Sequence, residues 1–141
     1  MSLAPGAPPN SSPTPRRRVE VVGTVIGSAM ALVTVTGDVD AANAQLLVES
    51  VEPRIECVNR LIVDLRSLGF FGTQGFSSLH RINVMISRRG VNWVVVPGPE
   101  VDRVLRICDP DGGLPVARSL DEAMATVSRP PRNHLRLVTS S

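Results

Sequence analysis

Length, composition and charge exclude several classes of function. With 141 residues, of which 43% are hydrophobic, the chain can bury one sizeable core but hardly two. Its basic residues are all arginine, so mechanisms that need a lysine, such as Schiff-base chemistry or a Walker-type phosphate loop, are excluded. Although the pI is about 9.0, residues 19–127 carry nine arginines against thirteen acids and few aromatic residues. We therefore expect no nucleic-acid partner.

The two ends of the chain differ from its middle. The first eighteen residues, MSLAPGAPPNSSPTPRRR, are rich in proline and serine and have no apolar periodicity, which predicts a disordered N-terminal tail. We predict one domain over residues 19–128 and a flexible C-terminal tail over 129–141. Because no apolar run resembles a secretory signal or a membrane helix, we expect a cytoplasmic protein with no membrane partner.

The first predicted elements are a hairpin and a helix. The segments VEVVGTV and MALVTVTG are rich in β-branched residues and flank a turn that contains Gly27, a pattern that predicts a β-hairpin. Asp38 or Asp40 can cap a helix over DAANAQLLVESV. Pro53 either ends this helix or begins a further turn.

Strands and helices alternate in the rest of the chain. The apolar runs RLIVDL and VNWVVV predict buried strands, and PVA predicts a weak one. Three helices are predicted: one over residues 74–89, one over PGPEVDRVLRIC, and one that begins at a capping box formed by Ser119 and Glu122. On the first of them an apolar stripe comprises Phe76, Leu79, Ile82, Met85 and Ile86. The order ββαβαβαβα predicts an α/β fold with parallel strand pairs.

No catalytic or metal-binding pattern emerges from the polar residues. The segment GFFGTQG matches neither nucleotide-binding fingerprint, and its glycines fit a sharp turn better than a phosphate cradle. Thr73 and His80 could form a reacting pair, but no third, orienting group can be named. Cys57, Cys108 and the two histidines, His80 and His134, lack the spacing of metal ligands. We therefore expect no enzyme activity, cofactor or metal.

Two blocks resemble a known family. The segment VTVTGDVDA, followed by a helix and then by LIVDLRSLGFFGTQGFSSL, resembles the STAS domain of bacterial anti-sigma-factor antagonists, and the resemblance extends from about Val19 to Val127. It implies a single STAS-type domain, with a mixed sheet of about five strands and helices mainly on one face. It also implies a non-enzymatic protein that binds an anti-sigma factor of the serine/threonine kinase type, releases a sigma factor, and is inactivated by phosphorylation.

The resemblance assigns a role to the loop before the second helix. The family's loop reads Asp-Ser-Ser-Gly, and Gly72, Thr73, Gln74 and Gly75 occupy these places. Thr73 thus matches the phosphoacceptor, whereas Gly72 replaces the acid and Gln74 the second hydroxyl. Asp40 matches the last acid of the family's Gly-Glu-x-Asp block. From the residues alone, an alternative role for Thr73 is that of helix N-cap.

We expect a partner to contact this loop and the exposed start of the following helix. The predicted partner-binding residues are Asp38, Asp40, Phe71, Gly72, Thr73, Gln74, Gly75, Ser77, His80 and Arg81. The acidic charge of residues 19–127 favours a basic face on the partner. We expect a monomer or weak dimer. The alternative function is a signalling scaffold or interaction module of the same fold that phosphorylation does not regulate, either constitutive or controlled by oxidation of Cys57 and Cys108.

Overall fold

The computed structural model describes residues 17–129 and confirms the predicted hairpin. Strand β1 (Glu20–Ile26) pairs antiparallel with β2 (Met30–Val39), from the pair Glu20–Thr36 to the pair Ile26–Met30. The turn between them contains Gly27 at a φ of 65°. Most of the two predicted tails lies outside the described residues.

Three further strands complete the sheet: β3 (Arg60–Asp64), β4 (Leu68–Phe71) and β5 (Asn92–Val96). Strand β3 lies between β2 and β5 and runs parallel to both. Strand β4 runs parallel to the last residues of β2, where a register shift separates Gly37 from Asp38. The sheet is therefore mixed, with one antiparallel pair at its edge.

The described part of the chain has four α-helices, which cover the two faces of this sheet unequally. Helices α1 (Gln45–Val51), α2 (Thr73–Arg89) and α3 (Gly98–Cys108) pack on one face and contribute to the larger core. Helix α4 (Leu120–Val127) covers β3 and β5 on the other face. The predicted α/β fold, with a mixed sheet and helices mainly on one side, is confirmed. Among residues 17–129, no helix is both long enough and apolar enough to cross a bilayer.

The central strands are apolar on both faces because each face meets a helix layer. Leu61 and Val63 of β3 point into the larger core, whereas Ile62 points into the smaller core beneath α4. This two-sided burial explains why RLIVDL is continuously apolar rather than alternating. On α2, the predicted stripe is buried at Leu79 and Ile82, as expected of the side facing the sheet.

The fifth strand is not the one predicted. Strand β4 occupies a segment that we expected to be a turn. The sequence did not predict this strand because its four residues are too few to show a strand period and include Gly69. The predicted strand at Pro115–Ala117 forms only a single bridge, between Val95 and Val116. Pro115 lacks a backbone N–H and so cannot extend a hydrogen-bonded ladder.

Three helix boundaries involve the residues expected to set them, two of them polar and one a proline. Helix α1 begins at Gln45, later than predicted, because Asp40 caps a preceding turn through Oδ1, which accepts the Ala42 N–H at 2.9 Å. Pro53 is followed by a 3₁₀ turn, the second of the two predicted outcomes. Ser119 caps α4 as predicted, since its Oγ accepts the Glu122 N–H at 3.1 Å.

Candidate functional site

The predicted phosphoacceptor loop lies at the edge of the sheet where the parallel strands end. Gly72 follows β4 and is the N-cap of α2, in an extended conformation with φ −91° and ψ 176°. Its N–H donates to the Val39 carbonyl at 3.0 Å, and its own carbonyl accepts the Gly75 N–H at 2.9 Å. These two bonds join the loop to the end of β2 and begin the first turn of α2.

Thr73 is exposed and is the first residue of α2. The hypothesis that it serves as the N-cap is wrong, because Gly72 occupies that position. The Thr73 Oγ1 lies 3.5 Å from Gln74 Oε1, at the limit of a hydrogen bond. The hydroxyl is therefore presented to solvent at the positive end of a helix and has no capping role.

Phe71 and Gly75 form the support beneath this loop. Phe71 is only 3% exposed, and Gly75 is buried against it. A Cβ atom at Gly75 would overlap the Phe71 ring, so this position requires glycine for close packing. The structure thus places these two predicted contact residues below the surface that a partner could touch, whereas Thr73 and Gln74 lie on it.

The two predicted acids have structural partners within the chain. Asp38 is 9% exposed, and its Oδ2 accepts the Arg17 N–H at 2.9 Å while its own N–H donates to the Arg17 carbonyl at 3.2 Å. These bonds hold the segment before β1 beside the end of β2. Asp40 is half-buried and organises the turn before α1. Both acids therefore shape the surroundings of the loop.

The predicted residues on α2 lie on its outer face. Ser77, His80 and Arg81 are exposed. The His80 ring stacks on Phe76 with their centroids 6.5 Å apart, and Arg81 Nη1 donates to Gln45 Oε1 at 2.6 Å.

A shallow cavity of about 380 Å³ continues along this outer face. It is lined by His80, Arg81, Val84, Met85, Arg88 and Arg89. The last four were not predicted as contact residues, although they follow His80 and Arg81 at intervals of four and eight, the spacing of one helix face. The outer face of α2 is therefore cationic, even though residues 19–127 as a whole are acidic. The net charge of residues 19–127 therefore does not predict the charge of the outer face of α2.

The remaining predicted residues do not form a reactive site together. Thr73 and His80 are seven residues apart on one helix, which separates them by about 10 Å along its axis. Cys57 is exposed, Cys108 is half-buried, and both are free thiols. Redox control by these cysteines stays a prediction.

Comparisons with known proteins agree with this architecture. The model of the STAS domain family matches residues 18–123. Osmosensory protein A from Mycobacterium tuberculosis is 31% identical over a 97-residue alignment that covers 66% of this chain and 61% of that protein. The chain thus spans less than two thirds of the length of this relative.

Two solved structures share the fold. An anti-sigma factor antagonist from Mycobacterium paratuberculosis superposes with a TM-score of 0.68 at 20% identity, covering 79% of this chain and 96% of that one. The anti-sigma factor antagonist SpoIIAA in its unphosphorylated form superposes with a TM-score of 0.62 at 14% identity, covering 77% and 96%.

Proposed function

The chain belongs to the STAS domain family, and we propose that it is an anti-sigma factor antagonist, which binds an anti-sigma factor and so releases a sigma factor for transcription. The observation that carries this proposal is the exposed Thr73 hydroxyl at the first position of α2, at the end of a continuous exposed helix face. Such a protein acts by binding rather than by catalysis. Because sigma factors act in the cytoplasm, we also propose a cytoplasmic location for this protein.

The binding surface that we propose is a stripe along α2. Residues spaced by four, three, four and four positions lie on one side of a helix, and all five residues at this spacing are exposed. We name them the α2 stripe: Thr73, Ser77, His80, Val84 and Arg88. Val84, which is 39% exposed, supplies an apolar contact at its centre. A partner bound along the stripe would also contact Thr73.

The charge of this face defines the chemistry of the partner. Arg81, Arg88 and Arg89 surround Val84, and no carboxylate within residues 17–129 makes a salt bridge to any of them. We therefore propose that the facing surface of the anti-sigma factor carries acidic residues around an apolar centre. Charge complementarity of this kind accelerates encounter and selects the partner. This differs from the basic partner face that the net charge favoured.

Phosphorylation of Thr73 provides a switch in this proposal. A phosphate would add about −1.5 to −2 charges at the first residue of α2. The positive end of the helix would tolerate that charge within the chain, but an acidic partner surface on the α2 stripe would be repelled. The hydroxyl is accessible to a partner of the serine/threonine kinase type, so one partner could both bind the stripe and modify it.

A charge substitution tests this proposal. Thr73→Glu is expected to weaken binding to the anti-sigma factor by at least about tenfold, because it places a charge where the phosphate would be. Thr73→Ala should bind as the wild type does. Thr24→Glu is the matched control, since it adds the same charge on exposed strand β1. Affinity is measured by titration calorimetry against anti-sigma factors recovered from the native cytosol.

Two results would contradict the proposal. One is that Thr73→Glu binds as tightly as Thr24→Glu, and the other is that no anti-sigma factor is recovered by the intact chain. Mass spectrometry after incubation with the recovered kinase then reports whether Thr73 carries a phosphate.

The alternative is an interaction module of the same fold that phosphorylation does not regulate. It is favoured by Gly72 and Gln74, which replace the acid and the second hydroxyl of the family's loop. In that case binding along the α2 stripe persists and Thr73 stays unmodified after kinase treatment, whatever the effect of Thr73→Glu on affinity. Oxidation of Cys57 or Cys108 would then be tested as the control of binding, by comparing reduced and oxidised protein.

A further inference from the structure

A second concave site lies along α3, outside the α2 stripe. It is a cavity of about 570 Å³ whose wall comes from three separate segments of the chain. The lining residues are Arg66, Pro97, Gly98, Pro99, Asp102, Arg103, Arg106 and Arg118. Four of the nine arginines in residues 19–127 therefore meet at one cavity, although this part of the chain carries thirteen acids. We name these four arginines and the cavity between them the arginine groove.

Carboxylates hold three of the four guanidinium groups in place. Arg66 forms a forked pair with Asp64, through Nε at 2.9 Å and Nη2 at 3.0 Å, and the Asp64 side chain is only 9% exposed. This hydrogen bonding, together with the charge of Asp64, raises the pKa of the Arg66 guanidinium above its ordinary value. A guanidinium has five N–H donors, so a forked pair leaves three of them for a ligand. Arg66 is thus a preorganised donor.

The other arginines are arranged along the helix. Arg118 Nη1 lies 2.9 and 2.8 Å from the two Asp102 oxygens, and Arg103 Nη1 lies 3.1 Å from Glu100 Oε1. Arg106 makes no salt bridge with any carboxylate in residues 17–129. It is one turn beyond Arg103, so cationic groups extend from the start of α3 almost to its end.

The backbone at the start of α3 forms a rigid wall of the same groove. Gly98 has a φ of 71°, and a Cβ atom there would lie 2.6 Å from the Arg66 Cα. The first residue of α3 and Arg66, two residues after the end of β3, are therefore in close backbone contact. The N-cap, Pro97, makes no side-chain hydrogen bond to the first turn, so the positive end of α3 adds to the field of the guanidinium groups.

We propose that the arginine groove binds a small anion with two or more phosphate groups. Its volume lies within the range of roughly 300–1,000 Å³ that is usual for small-molecule sites. Guanidinium forks match phosphate oxygens in planar geometry, and their spread along α3 provides for more than one phosphate. A ligand with two phosphate groups can contact several of these guanidinium groups at once, and these contacts offset its repulsion by Asp64, Glu100 and Asp102, whereas a singly charged anion reaches fewer of them.

Binding of inorganic pyrophosphate to the full-length protein tests this inference. Pyrophosphate is titrated by calorimetry into the wild type, and orthophosphate and citrate are titrated in parallel. We expect saturable binding of pyrophosphate that is tighter than that of either competitor. The double variant Arg103→Gln with Arg106→Gln should weaken it by at least about tenfold. Both side chains are exposed, so the variant is expected to fold.

The matched control removes the same charge elsewhere. Arg18→Gln with Arg129→Gln, two exposed residues outside both the arginine groove and the α2 stripe, should leave pyrophosphate binding unchanged. The inference is overturned if pyrophosphate shows no saturable binding, if citrate binds as tightly, or if the control pair weakens binding as much as the groove pair. Circular dichroism of each variant checks that a loss of binding is not a loss of fold.

Discussion

Helices α2 and α3 both begin where parallel strands of the sheet end, but different side chains surround their first residues. Both α2 and α3 have N-cap residues, Gly72 and Pro97, that make no side-chain hydrogen bond, so each leaves a positive helix end open. At α2 the neighbouring side chain is the Thr73 hydroxyl, whereas at α3 the neighbours are arginines. An open helix N-terminus thus lies both at Thr73, where we propose covalent phosphorylation, and at the arginine groove, where we propose binding of a phosphate-containing ligand. The side chains around each helix end make the difference.

The glycine at the start of α3 should be the more sensitive of two left-handed positions. Gly98→Ala is expected to lower the free energy of unfolding by about 2–4 kcal/mol, from the positive φ and from the overlap with the backbone of Arg66. Gly90→Ala has a similar φ, 70°, but nothing within 4 Å, and should cost about 1 kcal/mol. Urea denaturation measures both. Equal losses would show that the contact between α3 and Arg66 does not constrain the groove.

The glycines at the start of α2 should differ in a comparable way. Gly75→Ala is expected to cost about 1–3 kcal/mol because the added methyl group overlaps the Phe71 ring. Gly72→Ala has an extended backbone and its nearest contact at 3.4 Å, on Phe70, so it should cost only about 0.5–1 kcal/mol, because alanine is a poorer N-cap than glycine. The measurement is again urea denaturation. A larger loss at Gly72 than at Gly75 would contradict the packing described for the loop.

Two adjacent serines test how α2 is attached to its neighbour. Ser78 is buried and its Oγ donates to the Ala44 carbonyl at 2.8 Å, so Ser78→Ala should cost about 1–2 kcal/mol. Ser77→Ala, one residue away on the α2 stripe, should change stability by less than about 0.5 kcal/mol. Thermal unfolding followed by circular dichroism compares them. If both substitutions were neutral, the hydrogen bond to α1 would not help to orient the stripe.

The sequence predicted most of the fold and part of the candidate site. The hairpin, the buried strand RLIVDL and the Ser119 cap follow from local patterns and are confirmed. Strand β4 was missed because its pairing with β2 is made across the chain and leaves no period in four residues. On α2, Thr73 was predicted from the family resemblance and Ser77, His80 and Arg81 from helical spacing, but Val84 and Arg88 were not included among the predicted contact residues. The arginine groove was not foreseen at all.

What the sequence by itself determined is the set of properties that depend on near neighbours. Alternation in β2 and the apolar stripe of α2 follow from the fixed geometry of strands and helices, so they can be read without knowing the partner element. Only the tertiary structure decided that Asp38 is bonded to Arg17 and that Thr73 has no capping role. It also decided that arginines from three distant segments meet at one cavity. Burial and pairing depend on residues remote in the chain, and local periodicity carries no record of them.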